Sequence, residues 1–119
     1  MMYTEYSYKD DKLVQMNYHM PSGEMEGFTQ LEYKGDMLIS EASYSANSKL
    51  EKKTEYTVEN DMIMSISYFS GNNLIRTVEL EYDDAGNVVI QRTKNRHGDV
   101  IDIIEKEYVV FSIEKTVMQ

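Results

Sequence analysis

The sequence predicts an all-β protein, an antiparallel meander of about nine strands that forms a curled sheet or an up-and-down barrel. Three observations support this fold class. Turn-forming residues recur at a nearly fixed spacing, the residues between them alternate between apolar and polar, and no segment has the apolar spacing of an amphipathic helix. Because the turns span about two to five residues, neighbouring strands are expected to be antiparallel; parallel pairing needs a crossover of about a dozen residues.

Two sets of turns alternate along the chain. The first set lies at 8–13, 33–38, 58–63 and 82–88, and the second at 21–24, 47–49, 71–73 and 96–99. Starting positions in the first set differ by 25, 25 and 24 residues, and Tyr108 continues the series at 26. A fixed period of this kind indicates a structural repeat of strand, turn, strand and turn.

The repeat predicts one domain over residues 1–119. Its units are expected at roughly 3–27, 28–52, 53–76 and 77–102, followed by a C-terminal strand at 103–119. Residues 100–118 contain no turn signal and exceed an ordinary strand of about five or six residues. We therefore expect this last segment to bend, bulge or project.

The alternation assigns apolar and tyrosine residues to one face of the sheet. The predicted inward positions are Val14, Met16, Tyr18, Met20, Met25, Thr29, Leu31, Tyr33, Leu50, Thr54, Tyr56, Val58, Met62, Met64, Ile66, Tyr68, Leu74, Val78, Leu80 and Tyr82. The predicted outward positions include Glu51, Lys53, Glu55, Thr77, Glu79 and Glu81. We expect the two groups to differ sharply in burial.

An apolar face on a sheet without helices needs cover, which closure into a barrel, curling or a partner can supply. Buried tyrosine hydroxyls need hydrogen-bond partners, which suits a hydrated interior or an interface. The candidate ligand or interface residues are therefore the inward tyrosines Tyr18, Tyr33, Tyr56, Tyr68 and Tyr82.

The composition restricts the classes of partner. The chain has 12 basic and 21 acidic residues, and its formal net charge is −9. This charge disfavours nucleic acid and anionic membranes as binding partners. The absence of cysteine excludes disulfides, thiolate metal sites and a cysteine nucleophile, and fits a reducing compartment. The first residues do not resemble a signal peptide. We predict a cytoplasmic protein, with an exported or trimmed chain left open.

The loop at 83–87, Asp-Asp-Ala-Gly-Asn, is the sharpest local motif. Its oxygens could contact Ca²⁺, but a calcium site needs about six to eight oxygen ligands. Asp, Gly and Asn are also the residues that tolerate tight turns. We therefore predict a turn with Gly86 at positive φ, and no metal or cofactor.

No catalytic grouping is evident. His19 and His97 are the two histidines, one in a strand rich in Tyr and Met and the other in a turn. Neither has a sequence context typical of a catalytic triad or a carboxylate pair. The prediction is that the protein is not an enzyme.

Residues 81–88, Glu-Tyr-Asp-Asp-Ala-Gly-Asn-Val, followed by His-Gly-Asp-Val at 97–100, resemble a YD repeat of the Rhs and teneurin type. The other turns lack the Asp-x-x-Gly core of that repeat. In the family, the repeats are β-hairpins that wind into a shell around a toxin or another cargo. The resemblance implies a hairpin architecture and a connection with bacterial toxin systems.

Two functions are consistent with these features. The first is a protein-interaction module that binds a protein partner or its own copy, for example an accessory or immunity protein of a bacterial toxin system. The alternative is a small β-barrel that binds an apolar or aromatic ligand in a Tyr-rich interior.

Overall fold

The computed structural model describes residues 2–107, which form a single antiparallel sheet of nine strands in chain order and no helix. The strands are β1 (Tyr3–Lys9), β2 (Lys12–His19), β3 (Met25–Lys34), β4 (Met37–Ser45), β5 (Leu50–Glu59), β6 (Met62–Ser70), β7 (Asn73–Tyr82), β8 (Val88–Asn95) and β9 (Val100–Glu105). The predicted all-β meander is confirmed.

The sheet is open. Its two edges are β1 and β9, and each strand contacts only its neighbours in chain order. The barrel alternative is therefore wrong and the open sheet is right, because nothing in the described residues joins the first strand to the last. The predicted strand at 103–119 begins earlier, at Val100, and residues 108–119 lie outside the described part of the chain.

Two-residue turns connect several hairpins. In the β1–β2 turn, Asp10 and Asp11 have φ of 52° and 65°, and in the β5–β6 turn, Asn60 and Asp61 have φ of 50° and 62°. Two consecutive residues at positive φ define a type I′ turn, whose twist matches that of the flanking strands. Short-chain Asp and Asn are among the residues that tolerate this conformation best.

Four longer loops share one hydrogen-bond pattern. They run over 20–24, 45–49, 83–87 and 95–99, and in each the amide of the first residue donates to the carbonyl of the fifth at 2.9 Å. The amide of the fourth residue donates back to the carbonyl of the first at 2.9 to 3.1 Å. The fourth residue has positive φ in all four loops: Gly23, Ser48, Gly86 and Gly98. The prediction for Gly86 is confirmed.

Two further two-residue turns lie at 35–36 and 71–72, so the nine strands are joined by eight turns. A β-bulge follows each of them, always near the start of the second strand. In the first hairpin, Tyr8 of β1 pairs with Leu13 of β2, and the preceding Ser7 pairs with Gln15. Val14 therefore has no partner of its own and is the extra residue of a bulge at 13–14. The bulges of the other seven hairpins lie at 25–26, 38–39, 50–51, 63–64, 74–75, 88–89 and 100–101. An extra residue on one strand bends it and increases the local right-handed twist.

The bulges change which face some residues occupy. Four residues predicted on the inward face pair with residues of the opposite one: Met25 with His19, Leu50 with Tyr44, Met62 with Glu59 and Leu74 with Phe69. The prediction for these four residues is wrong because counting by twos assumes regular alternation, and one extra residue reverses the parity.

Strand register defines the two faces. In the centre of the sheet Tyr56 pairs with Ile66, and Ile66 pairs with Val78, so the predicted parity of these strands is confirmed. We name this side the tyrosine face; its principal residues are Tyr18, Leu31, Tyr33, Tyr56, Ile66, Tyr68, Val78, Leu80 and Tyr82. The opposite side is the wet face, with Lys53, Glu55, Ser67, Thr77, Glu79, Arg92 and Lys94.

Burial is low on both faces. Among the described residues, the buried apolar side chains are Leu31 and Ala42, which are 9% and 5% exposed. On the tyrosine face Leu31 is buried and Ile66 is half-buried, whereas on the wet face Glu55 and Glu81 are exposed and Glu79 is half-buried. The difference in burial is smaller than expected, because a single layer leaves each side chain with cover only from its neighbours within the sheet.

The loop assignment predicts opposite effects of two substitutions. Gly86→Ala should lower the free energy of unfolding by about 1 kcal/mol, because φ is 85° and the added Cβ has no atom within 4 Å, so the cost is backbone strain alone. Ser48→Gly should raise it by about 0.5 kcal/mol, since Ser48 has φ of 66° at the equivalent position. Urea unfolding measures both. A neutral Gly86→Ala or a destabilising Ser48→Gly would contradict the assignment.

Candidate functional site on the tyrosine face

All five tyrosines predicted as site residues lie on the tyrosine face, and all are half-buried. They do not line an enclosed interior, because the sheet is open. Their hydroxyl contacts divide them into three groups. The hydroxyls of the first two groups bond within the sheet, and those of the third are available to a partner.

Tyr33 and Tyr82 hold bulges. The Tyr33 hydroxyl donates to the carbonyl of Leu13 on β2 at 2.8 Å, and the Tyr82 hydroxyl donates to the carbonyl of Ile63 on β6. Both acceptors are the first residue of a bulge that follows a two-residue turn. These hydroxyls satisfy carbonyls at a disturbed point of the ladder, so their main role is in the fold.

Tyr18 belongs to a chain of hydroxyl groups across three strands. Its hydroxyl is 2.9 Å from Thr29 Oγ1, which lies 3.3 Å from Ser43 Oγ. Thr29 is 4% exposed, and this chain satisfies its hydroxyl. Tyr18 is therefore also held by the sheet.

Tyr56 and Tyr68 form the centre of a patch that also contains Glu41, Ile66 and Arg76; we name these five residues the central patch. Tyr56 pairs with Ile66, and the Arg76 guanidinium lies over the Tyr68 ring at 4.2 Å. Burial, followed by the nearby Glu41 carboxylate and Tyr68, raises the pKa of the Tyr56 hydroxyl. Tyr56 therefore stays a neutral hydrogen-bond donor beside the Glu41 carboxylate.

This combination is suited to protein recognition. Tyrosine and arginine are enriched at the centres of protein interfaces, where their apolar surfaces pack and their polar ends bond. Sequence periodicity identified Tyr56 and Tyr68. It missed Glu41 and Arg76, because the alternation predicts apolar residues on this face and a charged residue there does not match the pattern.

The wet face is occupied by ion pairs. Lys94 contacts Glu79 at 2.9 Å, Lys53 contacts Glu55 at 3.2 Å, and Arg92 contacts a third acidic residue, Glu81. An open depression of about 520 Å³ is lined mainly by residues of this side, including Gln30, Glu32, Lys53 and Glu55. Such exposed pairs contribute about 0 to 1 kcal/mol each, and the surface they form is well solvated.

His19 joins the edge strand to the sheet. It is 9% exposed, its ring stacks on Tyr3 at a centroid distance of 4.8 Å, and its Nε2 contacts the Glu5 carboxylate. Its Nδ1 lies 3.3 Å from the carbonyl of Gly23. Sequence reasoning missed this cluster, which becomes visible only when the register of β1 and β2 is known.

The acidic loop at 83–87 is a turn, as predicted. One oxygen of the Asp83 carboxylate accepts the amides of Ala85 and Asn87, each at 2.9 Å, and the other accepts from the Asn87 side chain at 3.2 Å. Hydrogen bonds to the charged form, with Asn87 the largest contributor, lower the pKa of Asp83. Asn95 accepts the equivalent amides, at 2.9 and 3.1 Å, in the loop at 95–99.

Within residues 2–107, no group of three or more His, Asp or Glu side chains is placed to hold a metal ion. This part of the chain also contains no helix long and apolar enough to cross a membrane.

Comparison with known proteins shows the fold alone. No family model matches the sequence, and no curated protein matches it. A similar solved structure is that of a protein of unknown function from Bacteroides fragilis, with 14% sequence identity and a TM-score of 0.62 over 89% of this chain and 92% of that one. The chain thus shares its architecture with that protein.

The bulge-holding role of Tyr82 predicts a measurable cost of removing its hydroxyl. Tyr82→Phe leaves the Ile63 carbonyl without that donor and should lower the free energy of unfolding by about 1 kcal/mol. Tyr6→Phe is the control, since Tyr6 is 57% exposed on the edge strand β1, and it should change stability by less than about 0.5 kcal/mol. Equal losses in denaturant unfolding would show that the hydroxyl of Tyr82 does not support the bulge.

The lowered pKa of Asp83 predicts a pH dependence of stability. A carboxyl whose pKa falls on folding stabilises the fold above its unfolded pKa of about 3.9, and this contribution disappears as pH falls through the folded pKa. Asp83→Asn keeps a side-chain oxygen that can accept the two amides, as Asn95 does. The stability advantage of the parent protein over this variant should therefore shrink below about pH 4.

Thermal unfolding between neutral and strongly acidic pH measures that difference. Asp84→Asn removes the same charge from the same loop and is the matched control. A gap between the parent and Asp83→Asn that does not vary with pH would contradict the role of the Asp83 carboxylate.

Proposed function

We propose that this protein is a non-enzymatic protein-interaction module that binds its partner through the central patch. The observation that carries the proposal is the tyrosine face, which no second layer covers within residues 2–107. Tyr56, Ile66 and Tyr68 lie in the middle of the sheet and yet remain half-buried, since each strand packs only against its neighbours. Covering this apolar surface with another chain removes it from water, which contributes favourable free energy to binding.

The central patch has the chemistry of an anchor for a partner. Two tyrosine rings supply apolar area with little loss of side-chain freedom, and Glu41 and Arg76 provide one charge of each sign for orientation. The other three tyrosines, held by the ladder or by hydroxyl chains, keep the surface around the patch rigid. A rigid surface loses less conformational entropy on binding.

A basic protein partner fits the charge. The formal net charge of −9 speeds association with a positively charged surface, and the resemblance of residues 81–100 to a YD repeat supports a role near a bacterial toxin system. The proposed concrete role is that of a cytoplasmic accessory or immunity protein that covers a basic toxin domain.

Site-specific photocrosslinking tests which face binds. A benzophenone amino acid replaces Tyr68 on the tyrosine face or, as the control, Thr77 on the wet face, and the chain is irradiated in its own host cells. An adduct of defined mass is expected from position 68, with several-fold less from position 77. Equal labelling at both positions would overturn the proposal.

The captured protein then provides a quantitative check. In calorimetric titration with that purified protein, Tyr56→Ser should raise the dissociation constant by about tenfold or more, as for a central anchor residue. Ser67→Ala on the wet face is the matched control and should leave the constant unchanged. Unaltered binding by Tyr56→Ser would exclude the central patch as the site.

A further inference from the structure

The edge strand β9 carries an unusual amount of exposed aliphatic surface. Val100, Ile101, Ile103 and Ile104 are between 41% and 62% exposed, and every residue of β9 is exposed. Within the described chain, one side of β9 pairs with β8, and the other side of its backbone has no strand beside it. Six residues with four aliphatic side chains are typical of a strand inside a sheet.

Strand β9 carries aliphatic side chains on both faces of the sheet. Ile103 pairs with Arg92 and so lies on the wet face, while Ile104 pairs with Gln91 and lies on the tyrosine face. Natural edge strands are usually protected by lysine, proline or inward-pointing charge. No lysine or proline lies between Val100 and Glu105, so the bulge at 100–101 and the charges of Asp102 and Glu105 are the protection that this edge carries beside its four aliphatic side chains.

We infer that β9 pairs edge to edge with β9 of a second copy of this chain, so that two sheets join into one. This inference rests on the proposed function in taking the protein to be an interaction module, and it assigns the second copy to the edge, separate from the central patch. The strands run antiparallel about a two-fold axis perpendicular to the sheet.

Geometry favours this arrangement over pairing of β9 with β1. Odd-numbered strands of an antiparallel meander run in the same direction, so a translated copy would place β1 parallel to β9 and leave an open chain of copies. Rotating that copy by 180° about an axis in the plane of the sheet makes β1 antiparallel to β9. The same rotation reverses the faces, so the wet face of one copy would continue the tyrosine face of the other. A two-fold axis between the two β9 strands keeps antiparallel pairing, aligns the tyrosine faces and closes at two copies.

Charges select the register. Asp102 and Ile104 lie on the tyrosine face, and the Lys106 amide continues the ladder by donating to the Val89 carbonyl at 2.8 Å. With the axis at Ile104, the two Ile104 side chains meet and Asp102 faces Lys106 of the second copy. With the axis at Asp102, two carboxylates would meet, which costs stability.

The following segment of the same chain is the competing occupant of this edge. All eight turns of the described sheet contain Asp, Asn or Gly, whereas residues 108–119 contain none of these and no proline. A tight return along β9 needs such residues at positive φ. The second copy is therefore the better candidate.

Analytical ultracentrifugation of the full-length protein tests the assembly. A reversible monomer–dimer equilibrium is expected, with no larger species, and its dissociation constant should fall with added salt because each copy carries −9. Ile104→Lys should raise the dissociation constant by about tenfold or more. Tyr6→Lys on the opposite edge is the control and should leave the constant unchanged.

Disulfide trapping tests the register, since the chain has no native cysteine. Ile104→Cys should give a covalent dimer under mild oxidation, while Tyr6→Cys should remain monomeric on a denaturing gel. A monomer at all concentrations, an assembly weakened equally by Tyr6→Lys, or trapping through Tyr6→Cys overturns the inference. Circular dichroism confirms that each variant retains the sheet.

Failure of this inference is distinguishable from failure of the proposed function. If the full-length chain is monomeric but position 68 still gives its adduct, the edge assignment is wrong and the interaction module stands. If Ile104→Cys dimers form but the photocrosslinks on the two faces are equal, the edge assignment stands and the central patch is excluded.

Discussion

The structure depends on the hydrogen-bonded ladder between consecutive strands, because the described residues include no second layer. A two-layer domain gains most of its stability from a shared apolar core. Here buried apolar side chains are few, and each strand contacts only the strands before and after it. Stability therefore comes from cross-strand pairs such as Tyr56 with Ile66 and from well-formed turns, which resembles the nearest-neighbour energetics of repeat proteins.

Repeated local devices maintain that ladder. A bulge follows each turn, and the bulges at 13–14, 38–39, 63–64 and 88–89 are spaced by 25 residues throughout. Each of these four contains two consecutive apolar residues, which keeps the ladder apolar where the pairing shifts. Tyr33 and Tyr82 bond to two of the four, so the tyrosines that repeat along the sequence do so partly for a structural reason.

The period of the turns was enough to predict the strands, their order and the parity of the central strands. Parity failed for Met25, Leu50, Met62 and Leu74, because a bulge adds one residue that period-two counting cannot detect. Consecutive apolar pairs were an available signal at 63–64 and 74–75, but the bulges at 25–26 and 50–51 each contain a glutamate and gave no such signal. Closure could not be predicted, since it depends on twist and stagger summed over nine strands. The His19 cluster depends on register, and Glu41 and Arg76 contradict the pattern that revealed the tyrosines.

A single layer also has a consequence for function, because it offers two kinds of surface that a closed barrel lacks. The central patch presents side chains, and its recognition of a partner depends on shape and on the charges of Glu41 and Arg76. Within residues 2–107 the outer side of β9 presents backbone groups that pair with no strand. Backbone hydrogen bonds fix the direction of an added strand but carry no sequence information, so the choice of partner there must come from side chains such as Ile104 and Asp102. Because the patch lies on β4 to β7 and the edge is β9, joining two copies at β9 would place two patches on the same face of one continuous sheet. A partner with two matching surfaces would then bind more tightly than either patch alone allows.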